Sequence, residues 1–300
     1  MMKYFHPKKY WRLLKEKLER LFWYYLLPDK VYLKIKFKQV HGKELNLDDP
    51  QTIDEKLQWI KLYDRKPIYH TMIDKIASKS FVEQRLETKE HTIPLFGKWE
   101  KYDDIDFSTL PNEFVLKCNH DSSSWIIVRD KSKLDHTAAK EKLSKALKVN
   151  YYHEENKQWG YDGIKPMIMA ERYLVGDKLE YQCFCNNGEP QFFLVRSDLG
   201  DSMGGFNVCY DLNWNKLDYR VDKYANINLS PPYYLQKMIE ISKVLAKDTL
   251  HLRVDFYGME NALYIGELTF YSNGGDFHNF SEEGKKALTE TLVLPIENEN

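Results

Sequence analysis

Two carboxylates near the end of the chain have the spacing that most clearly predicts chemistry. Asp255 lies in residues 253–257, where apolar and polar side chains alternate as they do in a β-strand. Residues 258–261 predict a hairpin turn and residues 262–270 the return strand, and such a hairpin can set Glu267 beside Asp255 on one face. Adjacent carboxylates repel, so the pair predicts a cation between them, most economically a magnesium ion that arrives with a nucleotide. A solvent-facing hairpin with two unrelated acids is the alternative.

A polar loop between two predicted strands is a second group suited to chemistry. Residues 113–118 and 125–128 predict the strands of a hairpin, with Lys117 at its base. The loop offers backbone N–H groups and the hydroxyls of Ser122, Ser123 and Ser124, which suit phosphate oxygens, and a lysine would neutralise their charge. The loop is not a Walker motif, because GxxxxGK[ST] is absent. An ordinary polar hairpin is the alternative.

The composition limits the class of protein. The 300 residues, 43% of them hydrophobic, suffice for one large domain or two modest ones with a real core. The four cysteines form no CxxC pair and no Cys/His metal-binding spacing, which predicts reduced, incidental thiols in a cytoplasmic protein. No apolar run approaches ~18 residues and no signal-peptide pattern is visible, so we expect neither a transmembrane helix nor export.

Residues 1–38 carry an excess of positive charge. They contain eleven Lys and Arg against three acids, a charge of +8 that leaves −9 for the rest of the chain. Aromatic residues such as Trp11, Phe22 and Trp23 lie among these bases, a mixture typical of a helix on an anionic membrane surface. A helix packed on the main body is an equal alternative. We expect no nucleic-acid partner, because the basic excess stops at about residue 40.

Two helices are predicted after this basic segment. Thr52 and Glu55 form a capping-box pattern, which predicts that a helix begins there and continues to about residue 64. Apolar residues at helical spacing predict a second helix over residues 69–84, which would carry Lys75. Residues 92–97 predict a short extended link.

The remaining segments predict an α+β protein. The predicted helices are residues 138–148 and 231–248, and the predicted strands are residues 165–174, 181–185 and 191–196, the last two joined by an Asn-Asn-Gly turn. Strand hairpins that alternate with helices favour the α+β class over a doubly wound parallel sheet.

The order of these motifs resembles the ATP-grasp superfamily. The nearest likeness is to its TupA-like group, which is associated with teichuronopeptide and other cell-surface polysaccharide biosynthesis. The resemblance covers about residues 44–280 and rests on the phrases EKLQW at 55–59, FVLKCNHD at 114–121 and GELTFY at 266–271. It implies an ATP-grasp-like fold of two α+β subdomains that clasp a nucleotide, with ATP and Mg²⁺ as cofactors.

The resemblance also implies how the nucleotide is held. One group of residues would contact the ATP phosphates, the serines as a flexible loop: Lys75, Lys117, Ser122, Ser123 and Ser124. Glu171 and Tyr173 would lie at the hinge that meets the adenine and its ribose.

The metal and the catalytic groups follow from the same resemblance. Asp255 and Glu267 would ligate magnesium between the β- and γ-phosphates. Thr269 stands where superfamily members usually have an asparagine, and its hydroxyl would still coordinate the metal or bond to a metal-bound water. Arg253 and Lys117 would be catalytic, Arg253 by stabilising the phosphoryl group in transfer.

The implied reaction is ATP-dependent carboxylate–amine ligation through an acylphosphate, with an amino acid or peptide and a glycan-linked carboxylate as substrates. A glycosyltransferase of polysaccharide assembly is one alternative, but no convincing DxD motif in a Rossmann-like context supports it. A non-catalytic nucleotide- or sugar-binding subunit is another. This non-catalytic alternative stays open because serines at 122–124 replace the glycines that the family usually has in the phosphate loop. In addition, Gln182 replaces a lysine that is common in the family's central hairpin.

We therefore expect four parts along the chain. They are a basic aromatic N-terminal arm (1–40), a helical part (41–110), an ATP-grasp subdomain with the phosphate-loop hairpin (111–172) and a second subdomain with the metal-binding hairpin (173–300). The expected location is cytoplasmic, with the inner face of the cell membrane as a partner that the arm would contact.

Overall fold

The computed structural model describes Lys15, Leu18, Glu19 and residues 21–174, 179–197, 205–221 and 227–296. Most of the first half of the predicted arm lies outside the described residues. In the described part, the helices are α1 (Asp29–His41), α2 (Ile53–Tyr63), α3 (Ile68–Ile73), α4 (Ala77–Leu86), α5 (His136–Ala146), α6 (Tyr151–Glu154), α7 (Leu235–Ala246) and α8 (Glu282–Thr291). A π-helical turn, Phe22–Leu26, precedes α1.

The strands form two antiparallel sheets. In chain order they are β1 (Leu95–Trp99), β2 (Phe114–Cys118), β3 (Ile126–Val128), β4 (Ile168–Arg172), β5 (Leu179–Asn186), β6 (Glu189–Ser197), β7 (Phe206–Asp211), β8 (Lys216–Leu217), β9 (His251–Met259) and β10 (Ala262–Thr269). The first sheet has the order β1-β4-β2-β3, and the second has the order β10-β9-β5-β6-β7-β8. The predicted α+β class is confirmed.

Each sheet buries one apolar face against helices. In the first sheet, Phe114 and Leu116 pack with Leu143 of α5 in a small core. In the second sheet, Val254 and Phe256 of β9 belong to a larger core that also takes in apolar residues of α2, α7 and α8. Because side chains alternate between the faces of a strand, this packing leaves the opposite face of β9 for polar residues.

Two local predictions are confirmed by the backbone. Thr52 and Glu55 form a reciprocal capping box at the start of α2, in which each side chain accepts the other residue's backbone N–H. Asn187 and Gly188 have positive φ angles of 48° and 82°. This left-handed conformation is what a two-residue hairpin turn between β5 and β6 requires.

The prediction of one continuous helix over residues 69–84 is wrong. The helix stops after Ile73, and Asp74 adopts an extended conformation. The Asp74 carboxylate accepts hydrogen bonds from the backbone N–H groups of Ile76 and Ala77, at 2.8 and 3.4 Å. An aspartate competes in this way with helical hydrogen bonds. Lys75 therefore lies on a short connector between α3 and α4 and not on a helix face.

The predicted extended link at residues 92–97 is also wrong in part. Leu95–Trp99 forms β1, which pairs with β4 at the edge of the first sheet. The strand pattern is weak because most of its side chains are exposed or half-buried and a register shift occurs before Gly97. The predicted boundary at residue 110 would separate this strand from its own sheet.

A buried lysine joins α2 to the turn that follows β10. Lys61 is only 1% exposed, and its Nζ donates to Oε1 of Gln58 at 2.9 Å and to the carbonyl of Gly274 at 2.6 Å. Gly274 and Gly275 both have positive φ, which permits this tight turn. Burial lowers the pKa of Lys61 to about 7, and Asp276 opposes the shift.

The lowered pKa of Lys61 predicts how the free energy of unfolding depends on pH. Between pH 7 and 10.5 the unfolded chain carries a proton on Lys61 that the folded protein lacks, so the free energy of unfolding rises with pH. Lys61→Met should reduce that slope by up to about 1.4 kcal/mol per pH unit. Denaturant unfolding at several pH values measures it, with exposed Lys286→Met as the control. Equal slopes in the wild type and Lys61→Met would contradict the prediction.

Candidate functional site

The β9–β10 hairpin places the two predicted acids side by side. Asp255 is the direct cross-strand partner of Glu267, and Arg253 is the partner of Thr269. A β-bulge at Gly266 shifts the register, so that Glu267 and not Gly266 stands opposite Asp255. A Cβ at Gly266 would lie 2.6 Å from Cε2 of Tyr257, so the bulge depends on glycine.

The guanidinium group of Arg253 donates a hydrogen bond to each oxygen of the Asp255 carboxylate. Its Nε and Nη2 donate to Oδ1 and Oδ2 of Asp255 at 2.7 and 2.6 Å, a bidentate pair. The same Nη2 donates to Oγ1 of Thr269 at 3.2 Å. Burial raises the pKa of Asp255, and Glu180 and Glu267 add to the shift, whereas the bidentate pairing with Arg253 opposes it and favours the ionised form. Asp255 is thus a carboxylate in a crowded, desolvated cluster.

Glu267 is the more accessible acid of the pair. Its side chain is 30% exposed, and it accepts a hydrogen bond from the Thr269 hydroxyl at 3.0 Å. Lys75 Nζ lies 3.3 Å from Oε2, and Arg253 Nη2 lies 3.7 Å from Oε1. Burial opposes ionisation, but Lys75 and Arg253 prevail and hold the pKa of Glu267 at about 2. Glu267 is therefore ionised at neutral pH.

Lys75 joins three parts of the structure at this point. Its backbone N–H donates to the carbonyl of Asn119 at 3.1 Å, and its Nζ donates to the carbonyl of Asp121 at 2.6 Å. The Asn119 side chain in turn donates to Asp74 at 3.0 Å. The α3–α4 connector is thereby fixed to the loop after β2, and the ammonium group is directed at Glu267 of the second sheet.

A second buried ion pair lies on the first sheet. Glu171 of β4 is paired with Lys117 of β2 through one oxygen and with Lys79 of α4, at 3.0 Å, through the other. Burial raises the pKa of Glu171, but Lys117 and Lys79 outweigh it, and the net shift is downward. The resemblance implied a place for Glu171 at the adenine hinge and gave no role to Lys79. The pairing of Lys79 with Glu171 joins residues 92 positions apart and has no local signal in the sequence.

The three predicted loop serines differ in their environment. Ser122 and Ser123 are exposed, and the Ser122 hydroxyl lies 2.8 Å from that of Tyr151. Ser124 is buried, accepts from the backbone N–H of Cys118 at 2.7 Å and donates to Oδ1 of Asp121 at 2.6 Å. Ser122 and Ser123 thus present hydroxyls to solvent, whereas Ser124 fixes the shape of the loop.

Tyr173 lines a cleft at the turn end of the β9–β10 hairpin. The cleft has a volume of about 570 Å³, and its walls include Arg172, Tyr173 and Leu174 on one side and Met259 and Tyr264 on the other. Met259 is four residues from Asp255, roughly 14 Å along an extended strand. The cleft and the pair of acids Asp255 and Glu267 therefore lie at opposite ends of the β9–β10 hairpin.

Glu180 on the neighbouring strand β5 also belongs to this face, although it is not among the predicted site residues. The register of β5 with β9 sets Gln182 opposite Asp255 and Glu180 opposite Tyr257. The Glu180 carboxylate accepts from the Tyr257 hydroxyl and from Nε2 of Gln182, both at 3.2 Å. Burial raises the pKa of Glu180; Arg253 opposes the shift and Glu267 adds to it. The alternation in β5 was a usable signal, since it places Glu180 and Gln182 on one face.

The donor set on this face fits a hard cation. Asp255, Glu267 and Thr269 offer carboxylate and hydroxyl oxygens, the ligands that Mg²⁺ prefers. Glu180 adds a third carboxylate to the same face, and the nearby positive charge comes from Arg253, from Lys75 and from Arg196, the cross-strand partner of Glu180. An added positive charge would reduce the repulsion among these acids.

Another group of potential ligands lies apart from this face. His41, Asp54 and Asp276 each bring one nitrogen or oxygen within 4.8 Å of the others. Asp54 accepts the backbone N–H of Phe277 at 2.7 Å, and Asp276 accepts that of His278 at 3.0 Å. Both acids therefore have a structural role in the turn after β10, and we assign no metal to the group.

Comparisons with known proteins identify a family. The model of a family described as TupA-like ATPgrasp matches residues 55–293. The search of curated proteins gave no match. No helix in the described part of the chain is long and apolar enough to cross a membrane.

Similar solved structures are ligases of greater length. L-amino acid ligase from Bacillus licheniformis is 12% identical, with 89% of this chain and 62% of that chain covered and a TM-score of 0.49. D-alanine–D-alanine ligase from Helicobacter pylori is 15% identical, with 81% and 70% covered and a TM-score of 0.43. The ATP complex of D-alanine–D-alanine ligase from Bacillus anthracis is 17% identical, with 67% of this chain and 54% of that chain covered and a TM-score of 0.39. The chain spans between about half and 70% of the length of these three ligases.

The buried ion pair at Glu171 predicts a large effect on stability. Glu171→Gln leaves Lys79 and Lys117 buried without their carboxylate and should lower the free energy of unfolding by about 3–5 kcal/mol at pH 7. Because the folded pKa of Glu171 lies below the ordinary 4.5, this stabilisation is present above pH 4.5 and declines as the pH falls.

The control is an exposed pair of the same chemistry. Glu100 pairs with Lys165 on the surface, where solvent screens the charges, so Glu100→Gln should leave the free energy of unfolding nearly unchanged. Urea unfolding of both variants at pH 7 and at pH 4 provides the comparison. Equal effects at pH 7 would show that the Glu171 pair does not stabilise the first sheet.

Proposed function

We propose that this chain, which belongs to the TupA-like ATP-grasp family, is an ATP-dependent ligase that joins a carboxylate to an amine. The observation that carries the proposal is the convergence of the opposed acids Asp255 and Glu267 with Arg253 and Lys75. Such a cluster suits charge neutralisation around a polyphosphate. No separate nucleophile is needed, because ATP supplies the activating group.

The proposed path of ATP follows the β9–β10 hairpin. The cleft beside Tyr173 and Tyr264 would take the adenine, and the triphosphate would extend over roughly 14 Å of strand toward the acid pair. Lys75 and Lys117 would neutralise phosphate oxygens, and the hydroxyls of the exposed serines 122 and 123 would approach them. The Glu171 carboxylate supports this proposal indirectly, because it holds Lys117 in place.

Asp255, Glu267 and Thr269 would hold the magnesium ion. A bound Mg²⁺ would draw electron density from the phosphates and offset their charge. Glu267 is ionised and partly exposed, so it offers a ligand without rearrangement. Asp255 is fully engaged by Arg253 and would have to share or exchange that partner.

The proposed chemistry has two steps. In the first, a substrate carboxylate oxygen attacks the γ-phosphorus of ATP, the bond to the β-phosphate oxygen breaks, and an acylphosphate and ADP form. In the second, an amine attacks the acyl carbon, phosphate leaves, and the amine gives up a proton as the amide forms. Arg253, at the edge of the acid pair and 12% exposed, would stabilise the phosphoryl group in transfer.

The proposed substrates are an amino acid or peptide and a carboxylate carried on a glycan. The support is the association of the TupA-like group with cell-surface polysaccharide biosynthesis. The proposed location is the cytoplasm, where ATP is available, with a role in the assembly of a capsule or a teichuronopeptide-like polymer.

Magnesium-dependent ATP binding is the first test. Calorimetry should show ATP binding to the intact protein in the presence of Mg²⁺, and Glu267→Gln should weaken it at least ~10-fold by removing a metal ligand. Glu240→Gln, an exposed acid on α7, is the matched control and should bind ATP normally. Absence of ATP binding by the folded wild-type protein would overturn the proposal.

Turnover separates a ligase from a binding subunit. Hydroxylamine, used as a small amine in place of the natural one, should trap the acylphosphate as a hydroxamate when ATP and the correct carboxylate are present. Amino acids and uronic acids form the panel to screen, with Glu267→Gln as the inactive reference. ATP binding without ADP formation for any carboxylate would support a non-catalytic role, and binding of a nucleotide-sugar in place of ATP would support a glycosyltransferase.

A further inference from the structure

Exposed apolar side chains are concentrated in the segment before and at the start of α1. Phe22, Trp23 and Leu26 are 50%, 37% and 65% exposed. We define the apolar patch as these three together with Leu18, Leu21 and Val31, which are also exposed. A contiguous run of such residues marks an interaction surface, whereas singly scattered exposed apolar residues do not.

The segment that carries this patch is fastened to the body of the protein. Tyr24 and Leu27, which alternate with the exposed residues, pack against the small core of Tyr32, Leu33 and Phe37. The carbonyl of Tyr24 accepts a hydrogen bond from the buried Nζ of Lys157 at 2.6 Å, and Nδ1 of His153 lies 2.8 Å from it. The outward direction of the patch is therefore set by specific contacts on its inner side.

The surroundings of the patch are positively charged. In the described part of the chain, the exposed residues Lys30, Lys34 and Lys36 follow the patch along α1. A second copy of the chain would bring the same charges together, which disfavours self-association through this surface. An anionic surface that also has an apolar interior matches both properties.

We propose that the apolar patch and the lysines around it dock this protein on an anionic phospholipid bilayer. The aromatic and aliphatic side chains enter the boundary between headgroups and acyl chains, and the lysines contact lipid phosphates. No helix among the described residues is long and apolar enough to cross the bilayer. This docking does not depend on the proposed ligase activity.

The same segment lies close to the candidate site. Its anchor, His153, belongs to α6, and Tyr151 at the start of α6 contacts Ser122 of the loop after β2 through their hydroxyls. The Tyr151 ring also packs on Tyr161, with ring centres 4.5 Å apart. One short helix thus separates the membrane-facing segment from the loop proposed to cover the phosphates. A substrate carried on a membrane lipid would reach the site from this side.

Vesicle flotation of the full-length protein tests the proposal. Vesicles of phosphatidylcholine alone are compared with vesicles that also contain phosphatidylglycerol, at low and at high salt. The wild-type protein should float with the anionic vesicles only, and the bound fraction should fall as salt rises. The variant Phe22→Ser/Trp23→Ser/Leu26→Ser should partition about 100-fold more weakly, because three large apolar side chains are lost from the contact.

A control variant removes equally exposed apolar residues elsewhere. Val221, Tyr233 and Val293 are 63%, 92% and 65% exposed, and their simultaneous replacement by Ser should leave flotation within about twofold of the wild type. Thermal unfolding verifies that both triple variants fold. Equal flotation of the two variants, absence of binding to anionic vesicles, or equal binding to both kinds of vesicle would overturn the proposal. A dimer in solution that only the patch variant disrupts would also overturn it, because a second copy would then cover the patch.

Discussion

The opposition of Asp255 and Glu267 across β9 and β10 is the constraint to which the rest of the site responds. The bulge at Gly266 forces both acids onto one face, where their repulsion must be offset. Arg253 on the same face engages Asp255, and Lys75 reaches Glu267 from outside the sheet. Since charges without partners are costly in a buried setting, the position of each base follows from that of the acids.

The contact of Lys75 with Glu267 explains why the helix predicted over residues 69–84 is interrupted at Asp74. Continuous helix through Asp74 would place Lys75 by helical geometry alone, whereas the break lets its backbone bond to Asn119 and its ammonium group reach Glu267. Asn119 stabilises the break from the other side through its hydrogen bond to Asp74. The two sheets are thus connected by a charge contact, and any ligand that competes for Glu267 acts on that connection.

Strand pairing was predictable from the sequence where local signals agree, and helix continuity was not. Alternation in residues 253–257 and the turn after them were sufficient to predict the β9–β10 hairpin. The bulge at Gly266, which brings Glu267 opposite Asp255, has no signal in that alternation. Apolar spacing around Lys75 is compatible with one helix. The local hydrogen bonds that the Asp74 carboxylate accepts, together with the bonds to Asn119, 44 residues beyond Lys75, decide for two. The pairing of Glu171 with Lys79 is equally non-local, so its carboxylate was assigned to the adenine hinge from the resemblance alone.

The pairing of Asp255 with Arg253 shows how the polar face of β9 and β10 can be stable without a bound cation. Arg253 satisfies both carboxylate oxygens, so the fold does not require a metal to offset the most deeply buried acid. Glu267, in contrast, has a partly exposed carboxylate held ionised by two bases. A cation that enters is therefore met first by Glu267 and gains Asp255 only in competition with Arg253. That competition couples metal binding to the position of Arg253, the residue we propose to stabilise the transferred phosphoryl group.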